Sequence, residues 1–218
     1  MIIGSNALGP GGAEIIPVAE AQGPLVLQRH GPGTYRPPHL IDHAANMRAV
    51  VDAGCDRVLA ISSVGSLHPE LAVGSFVCPN DFISLQTSVS VFDDARGHKT
   101  PGFDLGWRDA LLSAWAAKAP TALRDGGVYW QTDGPRFETP AEIRLIAAHA
   151  DLVGMTLASE CIVAGELGLR YAAVCVVDNL ANGVGPKPLS IEALERDRCA
   201  NAARLRDALA TVLTTLVA

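Results

Sequence analysis

Short apolar runs alternate along this chain with longer segments in which apolar residues recur at helical spacing. The short runs predict strands at residues 24–28, 57–61, 75–78, 127–131 and 170–177. The periodic segments predict helices at about residues 41–53, 107–118, 140–150, 157–167 and 190–217. Strands that alternate with helices are typical of an α/β fold, in which helices cover both faces of a central sheet. The pattern therefore predicts three layers, α/β/α.

Local signals mark several boundaries of these elements. Thr139 precedes Pro140, which is typical of an N-cap followed by proline at the first helical position. Gly54 and Gly168 follow helical segments, where glycine commonly ends a helix. Residues 86–106 are polar and rich in Gly, Asp and Thr, and a loop of this length in a compact domain is usually a lid or an interface.

Polar residues follow four of the predicted strands at the point where each strand ends. They are Arg29, Ser62, Asp133 and Asn179. In α/β sheets, ligands collect outside the carboxyl ends of the strands. The sequence therefore predicts a ligand site at that edge of the sheet.

Composition and charge narrow the class of protein. The 218 residues are 49% hydrophobic and 18% charged, which suits one domain over residues 1–218 with a large core. The formal net charge is −6, whereas proteins that bind nucleic acid need a basic face, so we expect no nucleic-acid partner. A small phosphate-bearing ligand remains compatible, because it needs only a few well-placed donors.

Cysteine use and the first residues indicate a reducing compartment. The five cysteines are scattered without a CxxC pair, which fits free thiols better than disulfides or a zinc site. The first residues lack the features of a signal peptide, and no run approaches about 18 apolar residues, so we expect no membrane span and a cytoplasmic location. His39 and His43 stand four residues apart without a nearby acidic partner, so no metal site is predicted.

Six motifs in a fixed order carry a resemblance to a known family. They are Ile2-Ile-Gly-Ser, Arg29-His30-Gly31, Ile61-Ser-Ser-Val-Gly-Ser-Leu67, the Gly-Pro-Arg-Phe-Glu-Thr segment at 134–139, Gly154-Met-Thr156 and Val176-Val-Asp-Asn179. Together they resemble the trimeric purine-nucleoside phosphorylases, and most of all the methylthioadenosine and methylthioinosine phosphorylases. The resemblance implies a nucleoside phosphorylase-like fold with a central mixed sheet, phosphate as a co-substrate without any cofactor, and a homotrimer or a hexamer of two trimers.

By this resemblance, phosphate is held as a nucleophile below the anomeric carbon of the sugar. Holding and orienting an anion requires cationic and neutral donors together. The resemblance assigns phosphate binding to Arg29, His30, Ser62, Ser63 and Thr156. Arg29 and His30 are also expected to be catalytic, together with Asn179, which faces the base.

Other positions are expected to bind the sugar and the purine. Met155 would lie against the ribose, where a polarizable thioether tolerates growing positive charge. Phe137 would stack on the purine, and Glu138 would reach its polar edge. Asn179 matches the base-recognition position, where a donor to N7 stabilises the departing purine anion.

The same region bears on which purine is used. Relatives that prefer 6-aminopurines carry aspartates where this chain has Asn179 and Ala181, so the resemblance favours 6-oxopurines. Asp178, one residue before the asparagine, would reverse that preference if its side chain turned into the base pocket.

The 5′ end of the sugar is expected to meet the C-terminal helix. In phosphorylases of ordinary nucleosides, a histidine in this stretch can bond the 5′-hydroxyl, but this chain offers Ile191 and Leu194. Apolar side chains would accept a 5′-methylthio or 5′-deoxy group and leave a hydroxyl unpaired, at a cost of about 1–3 kcal/mol. Packing of both residues in the core is the alternative.

The chain departs from the family in the loop after the first strand. That loop normally reads Gly-Gly-Thr/Ser-Gly, whereas residues 4–7 read Gly-Ser-Asn-Ala. Either Ser5 or Asn6 is therefore the expected phosphate donor, and the anion site is altered.

Two other functions stay open on the sequence alone. A nucleosidase would cleave the same bond with water activated by a carboxylate such as Glu160, Glu138 or Asp133. A catalytically silent nucleoside-binding protein would bind without turnover. In a trimer, the loop at 86–106 could complete a neighbour's site through His98 or Phe103.

Overall fold

The structure is a computed structural model that describes residues 2–4, 24–31, 34–86, 88–186 and 190–216. Its strands in these residues are β1 (Ile2–Gly4), β2 (Val26–Gln28), β3 (Arg57–Ser66), β4 (Phe76–Cys78), β5 (Asp81–Ile83), β6 (Leu123–Asp125), β7 (Val128–Gln131), β8 (Leu152–Gly154) and β9 (Arg170–Leu180). The α-helices are α1 (His43–Asp52), α2 (Leu105–Lys118), α3 (Pro140–Ile146), α4 (Leu157–Glu166) and α5 (Ile191–Leu216).

These strands form one mixed sheet in the order β5-β7-β8-β3-β9-β4-β6, and β1 joins β2 to β3. The long strands β3 and β9 lie side by side and parallel at its centre. β1 pairs in parallel with the first half of β3, whereas β8 pairs antiparallel with its last residues. The expected mixed sheet is confirmed.

Helices cover both faces of the sheet, as the alternation of strands and helices predicted. On one side, called here the α4 face, Ala60 of β3 packs in a cluster with residues of α1 and α4. On the other, the α5 face, Ile61 packs with residues of α2 and α5. Because successive side chains of a strand point to opposite faces, β3 and β9 feed both clusters and are buried from both sides.

The structure extends or adds several elements. β3 continues to Ser66 and β9 to Leu180, beyond the ends predicted at residues 61 and 177, while α3 stops at Ile146. The strands β5, β6 and β8 are three residues each and were not predicted, because so short a run carries no periodicity. Thr139 caps α3 as predicted, and Glu142 completes a reciprocal capping box.

The polar segment before α2 is tied to the body of the protein. The hydroxyl of Ser90 and the amide of Val91 donate to the carboxylate of Glu166 at 2.8 and 2.6 Å. Phe103 is only 6% exposed and packs against its own chain's Tyr171, so the expectation that it reaches a neighbouring subunit is wrong. His98 is exposed. No helix in the described ranges combines the length and apolar content needed to cross a membrane.

Candidate active site

The pairing of β3 with β9 loses its regular register between Val64 and Gly65. This irregularity places Gly65 opposite Asn179. A Cβ on Gly65 would lie 3.1 Å from Cγ1 of Val153 and 3.2 Å from Nδ2 of Asn179. Glycine at this position therefore leaves room for the side-chain amide of Asn179. Ser62 and Asn179, predicted to follow strand ends, thus lie inside longer strands beside a local break in the ladder.

One cavity at this edge gathers most of the residues predicted for the site. Those that line it are His30, Ser62, Ser63, Phe137, Glu138, Met155, Thr156, Asn179, Ala181 and Leu194. They come from the segment after β2, the strands β3 and β9, the segment after β7, the junction of β8 with α4, and α5. The fold therefore brings together positions that are far apart in the sequence.

The remaining predicted positions lie elsewhere. Ser5 and Asn6 fall outside the described residues. Ile191 is 56% exposed and is not among the lining residues, so Leu194 alone supplies the predicted apolar contact from α5. Asp133 lines a second cavity, which shares Glu138 with the one that holds Asn179.

Arg29 is buried and is not among the residues that line the cavity. Its Nε and Nη2 donate to the carboxylate of Glu160 at 2.6 and 2.8 Å, and Nη1 donates to the carbonyl of Ile61 at 2.7 Å. The hydroxyl of Tyr171 donates to the same carboxylate at 2.6 Å. Burial alone would raise the pKa of Glu160, but the charge of Arg29 and these hydrogen bonds hold it below its usual value. Where the sequence predicted a direct phosphate donor, the structure has a guanidinium engaged inside the protein.

His30 reaches the cavity with one ring nitrogen already engaged. Nδ1 lies 2.8 Å from the carbonyl oxygen of Arg36, and a proton on Nδ1 completes that hydrogen bond. Burial lowers the pKa of His30, which favours the neutral imidazole near pH 7. In that tautomer Nε2 is an acceptor. His30 is therefore suited to accept a hydrogen bond from a protonated ligand oxygen.

Thr156 begins α4 as its N-cap residue, yet its side chain makes no capping hydrogen bond. Two side chains of β7 satisfy the first amides of the helix instead. The hydroxyl of Tyr129 accepts from the amides of Thr156 and Leu157 at 3.1 and 3.4 Å, and Oε1 of Gln131 accepts from the amide of Ser159 at 3.1 Å. The hydroxyl of Thr156 is thereby left available to the cavity.

Strand alternation separates the two serines that were predicted to bind phosphate. Ala60 packs on the α4 face and Ile61 on the α5 face. Two residues further along β3, Ser62 therefore faces the α4 side and Ser63 the α5 side. Both line the cavity, which wraps around the edge of the sheet.

Asn179 and Asp178 turn in different directions. Nδ2 of Asn179 donates to the carbonyl of Leu180 at 3.0 Å, and its second N–H remains for a ligand. Oδ1 of Asp178 accepts from Nδ2 of Asn201 on α5 at 2.9 Å. Asp178 is fully buried and does not line the cavity, so turning toward the base would break its contact with α5.

Some lining residues were not assigned from the sequence. They are Tyr35, Pro38, Val64, Gly65, Val153, Gly154, Asn182 and Arg198. Arg198 changes the chemistry most, because it brings a positive charge to the cavity. It stands four residues after Leu194 on α5, and this helical spacing is the signal that could have found it.

The lining is suited to an uncharged polar ligand together with an anion. It combines hydroxyl groups, amides, an imidazole, a guanidinium and the carboxylate of Glu138 with the thioether of Met155 and the ring of Phe137. Within the part of the chain that the structure describes, no three His, Cys, Asp or Glu side chains are grouped to hold a metal ion.

Fold and cavity together define an α/β protein with a ligand pocket at the end of its central strands. The sequence model of the Phosphorylase superfamily matches residues 12–217, and the chain belongs to this superfamily. The expected family and the three-layer fold class are confirmed.

Two relatives specify the kind of phosphorylase that the chain resembles. It is 44% identical over 159 residues to the "Probable 6-oxopurine nucleoside phosphorylase" of Archaeoglobus fulgidus, a match that covers 73% of this chain and 65% of that protein. It is 38% identical over 168 residues to the "Probable S-methyl-5′-thioinosine phosphorylase" of Methanothermobacter thermautotrophicus, covering 76% of this chain and 59% of that protein. The chain thus spans less than two thirds of the length of either relative.

A solved structure shares the fold at low sequence identity. It is the methylthioadenosine phosphorylase from Schistosoma mansoni in complex with adenine, with a TM-score of 0.81 and 21% identity. The match covers 99% of this chain and 91% of that chain.

Proposed function

We propose that this chain catalyses the phosphorolysis of a 6-oxopurine nucleoside, which yields the free base and a pentose 1-phosphate. The observation that carries the proposal is a single cavity that holds the hydroxyls of Ser62 and Thr156, the thioether of Met155 and the amide of Asn179. An anion, a sugar and a heterocycle each find suitable groups there. The names of the relatives agree with this chemistry.

Phosphate binds in this proposal at the α4 face. Thr156 and Ser62 donate hydroxyl hydrogens, and Nε2 of His30 accepts from the protonated phosphate oxygen, which turns an unprotonated oxygen to the sugar. Arg29 acts as a positioning residue, because its Nη1 fixes the carbonyl of Ile61 next to Ser62. The amide of Ser63, together with Ser5 and Asn6, remains a predicted phosphate donor.

The purine leaves from the other side of the sugar. A phosphate oxygen forms a bond to C1′ while the C1′–N9 bond breaks, and the electron pair passes to the purine. The free N–H of Asn179 donates to N7 or O6 of the departing anion, where one preorganised donor is worth roughly 3 kcal/mol. Met155 lies in the lining, next to Thr156, where it can face the ribose, and Phe137, which is 38% exposed, can cover the base.

Glu138 supports the preference for a 6-oxopurine. Its Oε1 accepts from the hydroxyl of Thr132 at 2.7 Å, which leaves Oε2 as an acceptor in the cavity. In 6-oxopurines N1 carries a hydrogen that a carboxylate can accept, whereas N1 of a 6-aminopurine is itself an acceptor. Glu138 and Asn179 thus present an acceptor and a donor that match N1–H and O6.

The positions of the carboxylates favour phosphate over water as the nucleophile. Glu160 is bound by Arg29 and Tyr171, and Asp133 lines a different cavity. Glu138 is assigned to the base. None of these three groups is then placed to activate water beside the anomeric carbon.

The proposal also includes a homotrimer, or a hexamer of two trimers, that works in the cytoplasm. His98, which is exposed on the loop before α2, is the remaining candidate from that loop for a contact with a neighbour's site. Native mass spectrometry of the purified protein tests the assembly, and a monomer would contradict it.

Phosphate dependence tests the proposed reaction most directly. Inosine, guanosine and adenosine are each incubated with and without phosphate, and free base and sugar 1-phosphate are followed by chromatography. We expect base release from the 6-oxopurine nucleosides only when phosphate is present. Release without phosphate would identify a nucleosidase, and binding of inosine without release would identify a silent binding protein.

A further inference from the structure

Arg198 differs from two other arginines of α5, Arg196 and Arg204. Arg204 donates to the carbonyl of Gly74 at 2.9 Å, and Arg196 pairs with Asp197. Arg198 makes no hydrogen bond or ion pair with any residue that the structure describes, and it lines the cavity. A guanidinium carries five N–H donors. Within the described residues, its donors are therefore open to a ligand in the cavity.

The surroundings of Arg198 belong to the α5 face. Val176 of β9 packs on that face, and strand alternation puts Asp178 on the same side, where it contacts Asn201. Burial raises the pKa of Asp178, while hydrogen bonds with Ser63 and Asn201 and the positive charge of Arg198 act against this rise. When Asp178 is ionised, the two charges offset one another. This corner lies on the opposite face of the sheet from Ser62, whose hydroxyl is assigned to phosphate.

The C5′ group is the part of the proposed substrate that still has no binding residue assigned to it. Phosphate lies at the α4 face with Thr156, and the purine lies with Asn179. C5′ lies on the same face of the furanose ring as the base, opposite the face from which phosphate attacks C1′. The α5 wall, formed by Leu194 and Arg198, is the part of the lining that remains on that side.

We infer that Arg198 binds the 5′-hydroxyl of the nucleoside, so that the site selects substrates with a free 5′-hydroxyl over those with a 5′-alkylthio group. The inference rests on the proposed function and makes Arg198 its specificity-determining residue. A hydroxyl oxygen accepts a hydrogen bond from the guanidinium, whereas a thioether sulfur is a weak acceptor and would leave the charge desolvated. It adds a charged donor to the 5′ subsite expected from the sequence, where Leu194 lines the cavity and Ile191 lies at the surface.

The test compares three substrates that differ only at C5′. The ratio kcat/KM is measured for inosine, 5′-deoxyinosine and 5′-methylthioinosine in the wild type and in Arg198→Met, together with the KM for phosphate. We expect Arg198→Met to lower kcat/KM for inosine about 10- to 100-fold, and to change the value for 5′-deoxyinosine less than about threefold. The KM for phosphate should change less than about twofold, because phosphate binds at the other face.

A matched control is Arg196→Met, which removes an exposed cation from the same helix. Its kinetic constants should stay within about twofold of the wild type for all three substrates. Circular dichroism of both variants checks that α5 remains folded, and Arg198→Lys, which keeps the charge, should recover part of the inosine activity.

Three results would overturn the inference. They are an equal loss for inosine and 5′-deoxyinosine in Arg198→Met, a rise in the KM for phosphate as its main effect, and a wild type that prefers 5′-methylthioinosine to inosine. In each of these cases phosphate-dependent base release would still stand. If no nucleoside releases base with phosphate, the proposed function fails as well.

Discussion

The polar groups beside the cavity are hydrogen-bonded differently on the two faces of the sheet. On the α4 face, the polar groups of Arg29, Glu160 and Tyr171 are joined in one buried network. On the α5 face, no residue that the structure describes gives Arg198 a hydrogen bond or an ion pair. Paired charges therefore stabilise the structure around this site, whereas groups without a protein partner are the ones that a ligand can still satisfy.

The largest effect on stability is expected from breaking the paired face. Glu160→Gln leaves the charge of Arg29 buried without a counter-ion, which should lower the free energy of unfolding by about 3–5 kcal/mol. Urea denaturation followed by circular dichroism measures it. Asp197→Asn breaks the exposed pair with Arg196 and should cost less than about 1 kcal/mol. Equal losses in the two variants would show that the network does not hold the α4 face together.

The next effect concerns the junction between the two faces, at Asn179. Asn179→Ala removes the proposed donor to the leaving purine and should lower kcat for inosine by about 10²- to 10³-fold. Steady-state kinetics with saturating phosphate measures the loss. The free energy of unfolding should change by less than about 1 kcal/mol, because the side chain makes one hydrogen bond to a neighbouring carbonyl. An unchanged kcat would remove Asn179 from the proposed mechanism.

A glycine supports the α4 face from β8. A Cβ on Gly154 would lie 2.6 Å from the hydroxyl oxygen of Tyr129, which holds the start of α4. Gly154→Ala should therefore lower the free energy of unfolding by about 1–3 kcal/mol and also reduce kcat, because Thr156 moves with the helix start. Gly165→Ala is the control. A Cβ there meets nothing within 4 Å, so alanine should stabilise α4 by about 0.5–1 kcal/mol.

The smallest effect is a pH dependence that arises on the α4 side. Burial lowers the pKa values of His30 and His43 from the usual 6.5. The folded state then binds fewer protons than the unfolded chain just below pH 6.5, so the free energy of unfolding should fall as the pH drops through this range. His43→Asn should flatten that fall in urea titrations between about pH 5 and 7.5. An unchanged slope would mean that His43 contributes nothing to it.

Much of the fold could be predicted because its long elements carry strong patterns. The buried strand β9 and the capped start of α3 show this, since apolar runs and capping residues are local signals. The ends of β3 and β9 were missed because Ser62, Ser63 and Asn179 are polar, although the structure continues both strands through them. Hydrogen bonding across the sheet, which no local pattern reveals, decided these boundaries.

The sequence predicted which residues lie at the candidate site better than it predicted the contacts between them. Motif order brought Ser62, Thr156 and Asn179 into one hypothesis, and the fold places them around one cavity. The ion pair of Arg29 with Glu160 links positions 131 residues apart, and no local sequence pattern around either residue predicts it. Tertiary pairing of this kind determines which charged groups are left for a ligand.

The way α4 begins makes one reactive group depend on another strand. Tyr129 and Gln131 accept hydrogen bonds from the amides at the start of α4, a role that an N-cap residue such as Thr156 ordinarily has. The hydroxyl of Thr156 is therefore free to contact a ligand only while β7 carries both of these side chains. In a relative that lacked either side chain, we expect the hydroxyl of Thr156 to cap α4 instead. A substitution outside the cavity would then weaken the proposed phosphate site.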